Sequence, residues 1–399
     1  MTHGDAMVPP AGGGRPEPPV KLKVHAVAHG GDGLGRVEGR VCFVPFALPG
    51  DTVRAKVFRR KASVSWARML GVIEPSPHRI PFVGGEESAA PAHVWGCFSY
   101  PAQAEWKMRI VTDCLRRIGG VDAEPEWVEE PGLRLGYRTR AEFHGDGAVL
   151  GYYAVGTHTI VPMTRCPLCH DTVNTAFARL APLGIRGGVV VTAHPVTGET
   201  MVWAPPEALD RVRALYPLAN APGDGAPRAS FMVDGVPAVN GAFSQSSFLL
   251  NRLLVGLVRE MAAGAESLLD LYCGNGNLSL GLIPAARVTG YDIAVESVEA
   301  ARALGGDYRR GGEPEMAAAL EAGGHDTVLL DPPRSGAFAL APALARCGAA
   351  RMVYVSCDPA TLARDLKIII AGGWRLRRLA ALDLFPYTPH VETVCLLER

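Results

Sequence analysis

The stretch Leu268-Leu269-Asp270-Leu271-Tyr272-Cys273-Gly274-Asn275-Gly276-Asn277-Leu278 reads as a short apolar strand running into a glycine loop and then a helix. Glycines at such a turn let the backbone approach a bound ligand. A dinucleotide site would want G-x-G-x-x-G, but Ser279 stands at the third glycine position. Asp270, just before the loop, instead suggests recognition of an amino-acid moiety. Asp292 ends the next apolar run, Val288-Thr289-Gly290-Tyr291, where a ribose diol is bound in folds of this kind. Together these features point to S-adenosylmethionine.

Around this loop, strands are expected at Leu268–Leu271, Arg287–Tyr291, Thr327–Leu330 and Met352–Val355. Two later runs, Leu376–Leu382 and Thr393–Leu397, are expected to pair antiparallel. Helical segments lie between most of them, after a helix over Ser246–Ala263. The alternation predicts an α/β, doubly wound, Rossmann-like sheet with an antiparallel final strand, over residues 240–399.

Three stretches fall at the carboxyl ends of these strands, where ligands bind. Asp331-Pro332-Pro333-Arg334-Ser335-Gly336 follows one strand, and Ser356-Cys357-Asp358-Pro359 follows another. Phe385–Glu392 joins the two late strands, so the returning strand brings Glu392 back to the same edge. A thiol, a carboxylate and an Asp-Pro-Pro loop would converge on the methyl donor. This set suits methylation of a pyrimidine C5. A thiolate adds at C6 and makes C5 nucleophilic enough to take the methyl group. A base then removes the C5 proton, and elimination frees the cysteine. Glu392 suits the base role in a dry site. Taken singly, Cys357 would be a core thiol, Glu392 a strand-end charge and Asp331 a loop cap.

The formal charge is zero, with 40 basic and 40 acidic residues, which excludes a strongly basic or acidic binding protein. Neutrality hides an asymmetry: ten basic residues against four acidic ones lie between Val20 and Pro75. That segment alternates β-branched runs with glycine turns, as in Gly30-Gly31-Asp32-Gly33. It predicts a small basic β-barrel suited to RNA, over residues 20–75. Residues 1–19 read as a disordered tail without a signal-peptide core. Residues 76–239 read as a mixed, mainly β central domain, with a helix over Gln103–Ile118 and strands at Tyr137–Phe143, Val149–Tyr153, Val189–Thr192 and Thr200–Trp203. Nine scattered cysteines point to a reducing, cytoplasmic setting, and no apolar run is long enough for a membrane span.

The sequence resembles the RNA uracil-5-methyltransferases, specifically the 23S ribosomal RNA type. The resemblance rests on Asp270–Leu278, Asp331–Gly336, Val355–Pro359, Phe385–Glu392 and the short Phe243-Ser244-Gln245 motif. Val20–Pro75 resembles the RNA-binding TRAM domain of that family. The resemblance implies Cys357 as nucleophile and Glu392 as proton-abstracting base. It puts Asp331 on the uracil edge and Phe243 in the substrate pocket. Gln245, Tyr272, Gly274, Asp292 and Asp331 fall at or near the donor. Asp292 stands where the family more often has Glu, and Ser247 where it often has Asn. Many ribosomal-type members hold a 4Fe-4S cluster on four cysteines. Here Cys97 and Cys166 match two of them, while the other two positions fall in Pro81–Val94, which has no cysteine. A degenerate cluster site is the expectation, although Cys166-Pro167-Leu168-Cys169, with His170 nearby, could also hold zinc. The implied substrate is structured ribosomal RNA, acted on by a monomer. Transfer RNA, and a non-catalytic RNA-binding factor, are the alternatives. Cytosine-5 and amino-group methylation are disfavoured by Arg334 after the Asp-Pro-Pro.

Overall fold

The structure is a computed structural model that describes residues 18–84 and 92–399. The expected tail, apart from residues 18 and 19, and the middle of Pro81–Val94 lie outside the described residues.

The amino-terminal sheet has six strands, Val20–Lys23, Ala26–Val27, Gly33–Val37, Arg40–Val44, Thr52–Arg60 and Val64–Glu74. In space the order is first, fifth, sixth, fourth, third, second. Alternate residues such as Leu22, Val37, Cys42, Val44, Val53 and Ala55 turn inward to a small core. At Gly35 a Cβ would come within 2.6 Å of the Leu22 side chain, so only glycine lets these strands close on each other. Basic side chains are left on the outside.

The central sheet orders Ile160–Pro162, Leu150–Tyr153, Arg140–Asp146, Arg186–Ala193, Thr200–Trp203 and Ala219–Asn220. Helix Asp171–Leu180 covers one face with Val173, Phe177 and Leu180. The strand expected at Tyr137–Phe143 begins three residues later. Residues 136–139 spend their backbone donors elsewhere: Gly136 and Arg138 donate to the carbonyls of Pro167 and Leu168, and Thr139 donates to the carbonyl of Ser246.

The largest sheet has eight strands. In order they are Asp307–Arg310, Arg287–Asp292, Ser267–Leu271, Thr327–Leu330, Arg351–Ser356, Glu392–Glu398, Arg375–Leu382 and Glu126–Val128. The first five are parallel, and Glu392–Glu398 runs antiparallel to both neighbours. The inner parallel strands are buried on both faces and mostly apolar, as covering by helices on each side demands. The edge strand Asp307–Arg310 is not expected from the sequence, and three further features differ from the expectation. The glycine loop leads only into a single 3₁₀ turn, Leu280–Leu282, since Gly281 and Pro284 both discourage a longer helix. Helix Tyr100–Cys114 belongs with this sheet, where Val111 and the following Leu115 pack in one cluster with Leu362, Ala363 and Leu366. Strand Glu126–Val128, also from the central segment by sequence, closes one edge. Among the described residues no helix is long and apolar enough to cross a membrane.

The helix that crosses over carries a buried ion pair. Lys107 and Asp383 are 0% and 1% exposed, with Nζ 2.7 Å from Oδ1. Tyr100 donates to the other Asp383 oxygen at 2.7 Å, and Lys107 also donates to the Phe385 carbonyl. Lys107→Met leaves Asp383 desolvated and stripped of its cation. It should cost about 3–5 kcal/mol, read as a lower thermal midpoint; an unchanged midpoint would show the pair contributes nothing.

Candidate active site

The strand ends at Leu271, Asp292, Leu330 and Ser356, and the start of the returning strand at Glu392, open into one cleft of about 1170 Å³. Arg140 of the central sheet and residues 233–238 of the hairpin Ser230–Val239 line it as well.

The glycine loop is fixed from both sides. Gly274 N donates to Asp292 Oδ2 at 2.9 Å, and Ala294 N donates to the other Asp292 oxygen at 2.8 Å. The carboxylate is thus held at the strand end with lone pairs to spare for hydroxyls. Gly274 and Gly276 have positive φ, and so does Tyr272 at 61°, an uncommon conformation for a non-glycine residue and one found at functional turns. The Tyr272 hydroxyl donates to Glu313. Asp270 is buried beneath the loop and accepts from Ser279. Burial first, then Asp331 and Asp292, push its carboxyl up to about 7. Asn251 and Asn277 exchange amide hydrogen bonds of 2.7 and 3.0 Å, tying the preceding helix to the loop.

The second half of the cleft holds the thiol. Ser356 pairs with Thr393 across the antiparallel strands, and Thr393 Oγ1 donates to the Ser356 carbonyl at 2.8 Å. One residue further on each strand, Cys357 and Glu392 face the same cleft. Burial pushes the Cys357 thiol up to about 12; Glu392 and Asp331 add to this, while Arg334 opposes it. Glu392 is only 4% exposed. Burial and the neighbouring Asp331 hold its carboxyl well above the ordinary range, against Arg334. Burial raises Asp331 as well. Asp358 caps the next helix, Pro359–Ala371, accepting from Ala360 and Thr361 N–H groups at 3.0 and 2.9 Å. The positive end of that helix therefore lies beside the thiol and opposes part of this rise, although the capping Asp358 carboxylate adds to it.

The Phe385–His390 loop that delivers Glu392 is pinned by residues from far away in sequence. Tyr137 donates to the Pro386 carbonyl, Tyr387 N donates to Gln103, and Trp95 N donates to the Tyr387 carbonyl. The barrel reaches this loop too. Trp95 Nε1 donates to the Gly31 carbonyl at 3.1 Å, and a Cβ at Gly31 would lie 2.7 Å from Pro389. His29 Nε2 stands 3.6 Å from an Asp358 oxygen.

Of the residues expected from sequence, Cys357, Glu392, Asp331, Gln245, Tyr272, Gly274, Asp292 and Phe243 all line this cleft, with Phe243 71% exposed at its mouth. Arg140 and Arg334 line it as well. Alternation in the Arg140–Asp146 strand was the one signal that could have found Arg140.

The cysteines offered as metal ligands do not assemble. Cys97 is buried in a separate cluster with Trp95 and Phe98, and accepts from Arg79 Nη1 at 3.2 Å. Cys166 and Cys169 are fully buried in the central core, and the interaction between the two thiols lowers Cys166 and raises Cys169; Tyr152 lies 3.6 Å from Cys169 Sγ. Among the described residues no group of three or more His, Cys, Asp or Glu side chains is placed to hold a metal ion. A four-thiolate cluster therefore does not fit: Cys97 is engaged by a guanidinium, and among the described residues no third His, Cys, Asp or Glu joins the Cys166–Cys169 pair to hold a metal.

Comparison with known proteins agrees with this geometry. A family model described as tRNA (Uracil-5-)-methyltransferase matches residues 236–304 and 317–399, and a TRAM domain model matches residues 20–70. The 23S rRNA (uracil(1939)-C(5))-methyltransferase of Pseudomonas entomophila is 33% identical, over 100% of this chain and 98% of its own. The enzyme of that name from Alkalilimnicola ehrlichii is 31% identical over 96% and 97%. The solved tRNA (uracil-54, C5)-methyltransferase of Pyrococcus abyssi, in complex with S-adenosyl-L-homocysteine, superposes with a TM-score of 0.73. It is 25% identical and covers 95% of this chain and 100% of its own. From the cleft and these matches together, the chain belongs to the RNA uracil-5-methyltransferases, enzymes that transfer a methyl group from S-adenosylmethionine to C5 of uridine in RNA.

Proposed function

We propose that this protein methylates C5 of a uridine in 23S ribosomal RNA, with Cys357 as nucleophile and Glu392 as base. The observation that carries the mechanism is the strand register that sets Cys357 beside Glu392, in one cleft with the glycine loop. The names of the full-length relatives support the choice of 23S RNA.

The Cys357 thiolate adds to C6 of the flipped uracil, and the C5=C6 electrons move toward O4. C5 then attacks the sulfonium methyl, forming the C5–CH3 bond as the S–CH3 bond breaks. Glu392 takes the C5 proton, C5=C6 re-forms, and the C6–S bond breaks. A glutamate with raised proton affinity is a stronger base than a solvated one. Asp331 hydrogen-bonds the uracil edge, and Phe243 lines the path by which the base leaves its stack. Asp292 takes the ribose of the donor, while Gln245, Tyr272 and Gly274 shape the rest of its site.

The carboxylates give donor binding a pH dependence of defined sign. Asp270 keeps its proton up to about 7 in the free protein, against 3.8 for an ordinary side chain. Its contribution to stability is therefore complete below the ordinary value and lost as pH rises through about 7. A cationic donor favours the ionised forms of Asp270 and Asp331, so binding should release protons. Affinity for S-adenosylmethionine should climb between about pH 5 and 7, by up to about ten-fold per unit for each proton released. S-adenosylhomocysteine, lacking the sulfonium charge, should show a shallower slope. Calorimetry in buffers of different ionisation enthalpy reads both, and a flat profile would remove the carboxylates from donor binding.

The test of the substrate is transfer of labelled methyl groups to total RNA from a strain lacking this gene, followed by size fractionation and nucleoside analysis. Label in 5-methyluridine of the large ribosomal RNA is expected. Label in transfer RNA would keep the chemistry and overturn the target.

A further inference from the structure

We propose that Phe338 and Arg364 form a stacking platform for a nucleobase next to the methylated uridine. The proposal rests on the RNA reading above and adds a subsite to it.

Phe338 lies just beyond the Asp331–Gly336 loop and is 57% exposed. Its exposure is not a sign of slack. Ala337 N donates to Asp365 Oδ2 at 2.7 Å, and the Tyr354 hydroxyl donates to the same oxygen at 2.8 Å. Gly336, at φ 73°, packs so closely that a Cβ would stand 2.5 Å from Asp365. Asp365 is itself fully buried. The loop is thus anchored by its backbone, and the ring is free of any duty in the core.

A guanidinium completes the arrangement. Arg364 Cζ lies 4.8 Å from the Phe338 ring centroid. Its Nε donates to Asp365 Oδ1 at 2.9 Å and its Nη2 to the Ser335 carbonyl at 2.8 Å. Arg364 is therefore oriented before any ligand arrives. It sits on the helix capped by Asp358, six residues along, a rise of about 9 Å along the helix axis from the cap that follows Cys357. That spacing suits a nucleotide adjacent to one bound at Cys357. Arg334, exposed on the same loop and lining the cleft, adds positive charge to this edge.

Aromatic faces and guanidinium planes are what proteins offer to unstacked RNA bases. An exposed ring on an anchored backbone with an oriented guanidinium over it, on the loop that follows Asp331, matches a base rather than a protein side chain. A neighbouring base stacked there would hold the strand open while the uridine is turned into the cleft.

The test uses an unmodified ribosomal RNA fragment spanning the mapped uridine, with a single abasic nucleotide placed on either side in turn. Phe338→Ala should raise KM about ten-fold with kcat unchanged, the loss expected for one stacked base. Phe338→Trp should keep the native KM, and Phe338→Leu, apolar but without a π face, should not. One abasic position should cost the native protein a similar factor and cost Phe338→Ala nothing further. Independent, multiplying losses at every position would overturn the platform, as would a native KM for Phe338→Ala. If the native protein leaves the intact fragment unmethylated, it is the ribosomal RNA reading that fails, and the platform falls with it.

Discussion

Cys357→Ala should lower kcat for methyl transfer by about a thousand-fold or more, to a level set by background alone. Without a thiolate on C6, C5 of uracil has no electron density to offer a sulfonium methyl. Binding of the methyl donor should survive, because the glycine loop and Asp292 are held by their own hydrogen bonds. Folding should survive too. Cys357 is only partly buried, and the helix behind it is capped by Asp358, which the substitution leaves in place. Methylation at the native rate, measured with labelled donor under single-turnover conditions, would exclude the covalent route.

Glu392→Gln should do something different: it should stop the reaction after methylation. The amide keeps the shape of the side chain but cannot accept the C5 proton, so elimination fails and RNA remains joined to Cys357. Turnover should fall by about 10²–10⁴-fold, while a protein–RNA adduct carrying the transferred methyl group accumulates on denaturing gels. Unfolding cannot mimic this. The carboxyl is raised well above its ordinary value by burial and by Asp331, so its contribution to stability is lost as pH rises. An uncharged glutamine avoids that loss, and the variant should be at least as stable as the native protein near pH 8. Normal turnover without adduct would give the base role to another group.

Much of this was legible in the sequence for identifiable reasons. Strands such as Thr327–Leu330 and Arg351–Ser356 are buried on both faces and therefore stand out as apolar runs. Strand ends in a doubly wound sheet share one edge, which is why Asp331 and Cys357 could be brought together without coordinates. Glu392 followed from pairing two late strands antiparallel. What stayed hidden had weak or misleading local signals. Asp307–Arg310 carries three charges in four residues and buries only Tyr308. Glu126–Val128 is three residues long and finds its partner strand some 250 positions later. Lys107 reads as a solvated helix charge, yet it is fully buried because Asp383 arrives from the far end of the chain. The contact of Gly31 with Pro389 has no local signature either, since it depends on how the barrel docks against the catalytic loop.

The central claim is that Cys357 forms a bond to uridine C6 in ribosomal RNA. It is tested most directly with a ribosomal RNA fragment in which the target uridine is replaced by 5-fluorouridine. Fluorine at C5 cannot leave as a proton does, so the reaction should stall with protein, methyl group and RNA in one adduct. After digestion, mass spectrometry should place the modified nucleotide on the peptide containing Cys357. An adduct on any other residue, or none while the unmodified fragment is methylated normally, would contradict the account.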